Sequence, residues 1–174
     1  LVGSEMCIRD SSLAYNISGD GSTVVGYASV TNTLEAFRWT QAGGMTGLGQ
    51  LTVDGVESYA YAASHNGAVV AGYGDNGYGY EAFRWTQAGG LVGLGYLPGG
   101  GVESYAVGIS ADGTVIVGYG DTSSGYEAFR WTQAGGMVGL GTLSSGDSFS
   151  AGVSANGAVV VGYADGGAGY DCLL

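Results

Sequence analysis

The hexapeptide Glu-Ala-Phe-Arg-Trp-Thr begins at Glu35, at Glu81 and again at Glu127, each copy 46 residues after the last. A fixed period in this range marks a repeat architecture, in which each unit buries its apolar face against the next. It also moves the functional question, because in a repeat protein the chemistry lies in what breaks the repeat. Here little does. The three tryptophans, Trp39, Trp85 and Trp131, occupy one repeat position, and Arg38, Arg84 and Arg130 occupy another.

The two ends of the chain stand outside the repeat. Residues 1–10 read LVGSEMCIRD, which is one frame of a common transposon-based sequencing adapter, and Cys172-Leu173-Leu174 matches the reverse complement of its inner end. Residues 1–10 and 172–174 are therefore expected to be adapter-derived, and such segments are set aside before fold reasoning. Both cysteines, Cys7 and Cys172, fall in them. The remaining 11–171 holds no thiol, which leaves no disulfide, cysteine nucleophile or cysteine zinc site to argue there.

One repeat, taken from Ala106, reads as four strands. Val107-Gly108-Ile109-Ser110 is a short apolar run and Ala111-Asp112-Gly113 a hairpin turn, Asp-Gly being a strong hairpin signal. Thr114 to Tyr119 is a β-branched strand, followed by a Gly/Ser/Asp loop to Gly125. Tyr126 to Thr132 is a third strand, with Phe129 and Trp131 two apart and so on one face. Gln133-Ala134-Gly135-Gly136 is a tight turn, and Met137 to Gly141 a fourth strand. The last interval shortens, because the loop matching Thr52–Glu57 has shrunk to Ser144–Asp147; loops absorb such deletions.

Four short antiparallel strands in about 46 residues, joined by glycine turns, describe a propeller blade. The expected fold is all-β: a partial β-propeller of about three and a half four-stranded blades. Repeat 1 spans 11–58, repeat 2 spans 59–104, repeat 3 spans 105–148, and half of repeat 4 spans 149–171. A β-solenoid is the alternative, but its strands pair with the next repeat, whereas the Asp-Gly and Asn-Gly hairpins favour pairing within a repeat. The segment is expected to be an open arc whose edge strands invite pairing with other chains.

These residues resemble the bacterial extracellular repeat known as the HAF family. The resemblance rests on Ala36-Phe37-Arg38-Trp39, on Gly89-Gly90-Leu91-Val92-Gly93-Leu94-Gly95-Tyr96-Leu97-Pro98-Gly99-Gly100, and on Ile109-Ser110-Ala111-Asp112-Gly113-Thr114-Val115-Ile116-Val117-Gly118. It covers 14–170. The departure is glutamate at Glu35, Glu81 and Glu127, where the family pattern has histidine. The resemblance implies a secreted or surface-exposed bacterial protein, often attached to an autotransporter barrel or a sorting signal. It implies no enzymatic activity and no ligand.

Charge narrows the partners. The chain has 4 Lys+Arg against 15 Asp+Glu and a net charge of −11. Without a basic patch it has no means of neutralising phosphates, which argues against nucleic acid and against anionic membranes.

The candidate residues each have a plain structural reading. Arg38, Arg84 and Arg130 could line an anion channel, or pair with a neighbouring Glu or hairpin Asp to hold blades together; carboxylate pairing suits guanidinium geometry, and the excess of acids favours the structural role. Phe37/Trp39 and their copies could stack sugars, but inter-blade core is favoured. Tyr78, Tyr80 and Tyr126, beside the Gly-rich loops, are possible surface-binding residues for carbohydrate or protein, or simply solvated loop aromatics. Asp75, Asp121 and Asp165 supply one carboxylate per loop, thin for calcium. Gly72-Tyr73-Gly74-Asp75-Asn76-Gly77 matches a dinucleotide pattern but opens no helix. His65, the only histidine, sits in a turn with no triad partner marked out. Asp54 is an acid outside the repeat, and glycoside hydrolysis needs two.

No catalytic residue, cofactor site or metal site is therefore assigned. The leading expectation is a non-catalytic, secreted or surface-displayed repeat domain for binding or adhesion, completed by further blades of the same chain. Alternatives are an arc of a propeller enzyme acting on polysaccharide with its catalytic residues elsewhere, and a spacer.

Overall fold

A computed structural model describes residues 11–143, 146–165 and 170–173. Residues 1–10 and Leu174 lie outside the described residues, as do Ser144 and Ser145 of the shortened loop; Cys172 and Leu173 are described as backbone only.

Every described element is a strand. The first sheet holds β1 (Ser12–Ile17), β2 (Thr23–Val30), β3 (Thr33–Thr40) and β4 (Gly44–Gly47). The second holds β5 (Ser58–Ala63), β6 (Val69–Asp75), β7 (Tyr80–Thr86) and β8 (Gly90–Gly93). The third holds β9 (Ser104–Ile109), β10 (Val115–Thr122), β11 (Gly125–Thr132) and β12 (Gly136–Gly139). The last has β13 (Ser148–Val153), β14 (Val160–Asp165) and β15 (Tyr170–Leu173). Each sheet is an antiparallel meander in sequence order. Pairing thus stays within the repeat, which excludes the solenoid alternative and gives about three and a half propeller blades.

The sheets stack by their first strands. β5 lies against β1, β2 and β3; β9 against β5, β6 and β7; β13 against β9, β10 and β11. The fourth strands β4, β8 and β12 make their main contacts within their own sheets. First strands therefore adjoin one another along one side of the arc, and fourth strands lie on the other, as in propeller blades.

The second strands run longer than the turn signals imply. β10 continues to Thr122, with Asp121 opposite Tyr126 and Thr122 opposite Gly125, so the expected Gly120–Gly125 loop is reduced to Ser123 and Ser124. Small and polar residues do not prevent pairing when the strand alongside supplies the hydrogen bonds.

Each first strand carries a bulge, where the register skips one residue: Tyr15, Tyr61, Val107 and Ala151. The bulge presses a carbonyl onto the second strand, where every repeat has glycine. A Cβ on Gly72 would sit 1.9 Å from the Tyr59 carbonyl oxygen, and one on Gly118 1.9 Å from that of Tyr105. Only glycine fits so close a backbone approach.

The core lies between sheets. Phe83 and Trp85 of the second sheet pack with Val25, Ala36 and Leu48 of the first. Phe129 and Trp131 of the third pack with Ala71, Ala82 and Leu97 of the second. Phe83/Trp85 and Phe129/Trp131 are thus inter-blade core, filling the space that small Ala36 and Ala82 leave on the facing sheet; Phe37 and Trp39 of the first sheet belong to neither cluster. Trp85 is buried, whereas Trp39 and Trp131 are half-buried.

Candidate functional site

The repeated acids and arginines are absorbed by the scaffold. The Glu35 carboxylate accepts from the Gly49 amide at 3.1 Å, Glu81 from Gly95 at 2.9 Å and Glu127 from Gly141 at 2.7 Å. These glycines have φ of 91°, 79° and 87°, the left-handed region that side-chain-bearing residues avoid. The same turns are held from the next sheet. Ser58 Oγ donates to the Gly49 carbonyl (2.8 Å) and accepts from the Ala36 amide (2.9 Å). Ser104 does so with Gly95 and Ala82, and Ser148 with Gly141 and Ala128. These serines are fully buried, and each satisfies two backbone groups that would otherwise be orphaned. The glutamate that opens each hexapeptide is therefore one half of a clasp on the turn, the serine of the next sheet being the other.

A second seam joins the hairpin turns. The Asp20 amide donates to the His65 carbonyl, His65 to Ala111 and Ala111 to Ala155, each at 2.9 Å. His65 thus serves through its backbone, as a turn residue. Within the first turn, the Ser22 amide and the Ser18 and Ser22 hydroxyls hold the Asp20 carboxyl down at about 2. Arg38 bonds the Gly67 carbonyl of the next sheet's turn at 3.0 Å and Thr23 Oγ1 at 3.2 Å. The arginine does bridge sheets here, but its partners are a carbonyl and a hydroxyl: Glu35, three residues away on the strand, faces the other side of the sheet, and the adjoining turn carries Asn66 in place of an acid. Arg84 and Arg130 line an open cleft of about 390 Å³ with Gly113, Thr132 and Asn156.

The tyrosines behave differently. Nine of them, Tyr15, Tyr27, Tyr59, Tyr61, Tyr73, Tyr80, Tyr105, Tyr119 and Tyr126, form with Phe149 and Tyr163 one ladder of ring contacts across all four sheets, mostly along first and second strands. Tyr15 meets Tyr27 at 5.6 Å and stacks on Tyr61 at 4.3 Å; Tyr27 meets Tyr59 at 5.1 Å. Tyr73 joins Tyr59, Tyr61, Tyr80 and Tyr105 at 4.8–5.5 Å. Tyr105 leads to Tyr119 and Tyr126, and both touch Phe149, which stacks on Tyr163 at 5.1 Å. Tyr15 and Tyr163, near its two ends, are exposed, and the rings between are half-buried.

Two glutamates fix the middle of this ladder. Glu57 Oε2 accepts from Tyr80 at 2.6 Å and from Tyr59 at 2.8 Å. Glu103 Oε2 accepts from Tyr126 at 2.7 Å and from Tyr105 at 3.1 Å. The carboxylate bond, aided by burial, pushes the Tyr80 and Tyr126 hydroxyls up to about 12. Burial does the same to Tyr15, Tyr61 and Tyr73, and raises Tyr59 and Tyr105 further with help from Glu57 and Glu103. These phenols are neutral donors over the whole physiological range.

Of the three tyrosines singled out from sequence, Tyr80 and Tyr126 thus belong to this ladder at the starts of β7 and β11. Tyr78 is separate, 86% exposed at a loop tip. Sequence reasoning passed over Glu57, Tyr59, Tyr73, Glu103, Tyr105 and Tyr119. A signal was present: Glu-Ser-Tyr-Ala recurs at Glu57 and Glu103, again 46 residues apart.

Asp75 and Asp121 lie in strands, with side chains accepting from the Gly77 and Glu103 amides; Asp165 ends β14. Among the described residues no three His, Cys, Asp or Glu side chains are grouped to hold a metal. Gly72 and Gly74 lie within β6, so the dinucleotide pattern begins as strand and runs into the loop after Asp75. Asp54 is exposed in the loop before β5.

Neither family profiles nor curated proteins yield a match to this chain. Solved structures do. TolB from Acinetobacter baumannii is similar with a TM-score of 0.58 at 20% identity, over 86% of this chain and 36% of that one. A putative TolB from Agrobacterium tumefaciens is similar at 0.65 and 17% identity, over 92% and 57%. A puromycin hydrolase mutant complexed with PGG is similar at 0.57 and 16% identity, over 95% and 27%. The likeness is one of fold, to β-propeller domains, and the chain spans less than two thirds of each of these proteins.

Proposed function

We propose that this chain is a non-catalytic binding arc of a secreted or surface-displayed bacterial protein, and that it engages carbohydrate or protein through its tyrosine ladder. The observation that carries the reading is the ladder itself. A run of half-exposed rings crosses four sheets, with hydroxyls held in place by carboxylates. Tyrosine offers large contact area at small entropic cost, with an apolar face and a polar tip. Such a surface suits sugar faces or an extended polypeptide. The resemblance to HAF repeats supports the extracellular setting. Further blades of the same chain would complete the ring.

The test is affinity for a panel of immobilised polysaccharides and cell-envelope preparations, measured for the unaltered chain and for Tyr61→Ala and Tyr105→Ala. Binding that falls in both variants while Tyr78→Ala retains it supports the ladder. Binding unchanged in all three, or none to any preparation, defeats the reading.

A second reading, an arc of a propeller enzyme acting on polysaccharide, takes its support from the likeness to a puromycin hydrolase structure. It places the catalytic residues outside this segment. Release of new reducing ends by the full-length protein, but not by this chain, would favour it.

A further inference from the structure

Charge is divided between the two ends of the strands. The hairpins joining first to second strands stand at one end, with Asp20, His65 and Asp112 in their turns. Arg38, Arg84 and Arg130 lie towards that end, opposite Val25, Ala71 and Val117. The other end holds Glu35, Glu81 and Glu127, opposite Ala28, Gly74 and Gly120. Asp54, Glu57, Asp75, Glu103, Asp121 and Asp147 lie in or beside its loops. Among the described residues no arginine lies at this acidic end, and the chain has no lysine.

The tyrosine ladder runs along the acidic end. Tyr59 and Tyr105 are the second residues of β5 and β9, Tyr80 opens β7, and Tyr126 is the second residue of β11. The two carboxylates within the ladder each use one oxygen. Glu57 Oε2 accepts from both of its tyrosines, and Glu103 Oε2 from both of its own. Neither Oε1 takes a hydrogen bond from any described residue. Nor is either sealed from solvent, because the buried polar atoms left without a partner among the described residues are Gln50 Oε1, Thr52 Oγ1 and Ser150 Oγ. Each glutamate therefore offers one accessible anionic oxygen beside two half-buried rings. The same unit recurs 46 residues on, in the next sheet.

We propose, resting on the reading of the ladder as a binding surface, that its partner is a basic polypeptide in extended form, whose arginine side chains lie against the tyrosine rings and donate to Glu57 Oε1 and Glu103 Oε1. A guanidinium meets both demands, because its plane stacks on an aromatic face while its edge donates to a carboxylate. Two such units, one sheet apart, call for a polymer that carries several cations. Alternate residues of an extended chain face the same way, so arginine at every second position can address both units. Sugar hydroxyls could also donate to these oxygens, but the surplus of negative charge favours a cation over a neutral polymer and opposes an anionic one.

The probe is acetyl-Gly-Arg-Gly-Arg-Gly-Arg-Gly-amide, titrated into the full chain by calorimetry at physiological salt. The expected result is saturable binding. The same peptide with citrulline for arginine keeps shape and loses charge, and should bind about tenfold more weakly or worse, since a hydrogen bond to a charged group is worth roughly that factor. Glu57→Gln and Glu103→Gln keep an acceptor for the tyrosines and should each weaken binding several-fold. Asp54→Asn removes an exposed acid at the same end, outside the ladder, and should leave binding within about twofold because salt screens its charge. Weakening by Asp54→Asn equal to that of the glutamate variants, equal binding of the citrulline peptide, tighter binding of chitosan oligomers, or no binding of the arginine peptide would each overturn the proposal. If the arginine peptide fails while Tyr105→Ala still abolishes binding to an immobilised polysaccharide, the ladder stands as a binding surface and only the basic partner falls.

Discussion

Two sets of glutamates recur in this molecule, and the same residue type does two different things. Glu35, Glu81 and Glu127 each accept from a backbone amide of a glycine turn, opposite a buried serine that ties the same turn to the next sheet; Glu81 also takes bonds from Asn76 and the Tyr96 hydroxyl on its other oxygen. Glu57 and Glu103 accept from tyrosine hydroxyls on a half-exposed stripe. The first set is spent on the scaffold, because a turn amide held at positive φ needs an acceptor. The second set fixes side chains that keep an accessible face. The lesson is that periodicity alone does not sort acids into scaffold and surface; the donor does.

Changes on the scaffold side should be the most damaging. Phe83→Ala empties the space over Ala36 and Leu48 and should lower unfolding free energy by about 3–5 kcal/mol, seen as a fall in denaturant midpoint. Next comes Ser104→Ala, which orphans the Ala82 amide and the Gly95 carbonyl and should cost about 1–3 kcal/mol. A neutral result there would mean the clasp is dispensable, and the contrast would collapse.

Glu57→Gln tests the other side and should cost under about 1 kcal/mol, because the pair it breaks is partly solvated. Its sharper effect is on titration. Tyr80 is held at about 12 chiefly by Glu57, so the variant should titrate closer to the ordinary value of about 10, followed by ultraviolet tyrosinate absorbance. In the unaltered chain the folded state holds phenolic protons that the unfolded state has released. Stability from the ladder is therefore complete below about pH 10 and lost as pH rises towards about 12. A stability profile flat across that window would contradict the ladder. The smallest effect is expected from Tyr78→Ala, within about 0.5 kcal/mol, since its ring stands in solvent.

Much of the fold could be read from residue spacing. The Glu-Ala-Phe-Arg-Trp-Thr period gave the blade, the Asp-Gly and Asn-Gly turns gave pairing within the repeat, and Phe and Trp two apart gave the inter-sheet core. The candidate site was less legible. Tyr80 and Tyr126 could be picked out beside their loops, but their link to Tyr59, Tyr73 and Tyr105 depends on how adjacent sheets lean together. Arg38 was readable as a sheet-bridging residue, but not its partners, the Gly67 carbonyl and the Thr23 hydroxyl.

The sequence by itself determined the repeat, the strand count per blade and the burial of the Phe-x-Trp face, because side-chain alternation and turn chemistry are local. Tertiary structure alone decided which acids hold turns and which hold tyrosines, that the tyrosines join into one ladder, and that Ser150 is left without a partner. Those outcomes depend on how neighbouring strands and sheets are brought together, as where Tyr80 reaches Glu57 from 23 positions away, and a hydrogen bond's worth depends on what else can reach the same atom once water is excluded.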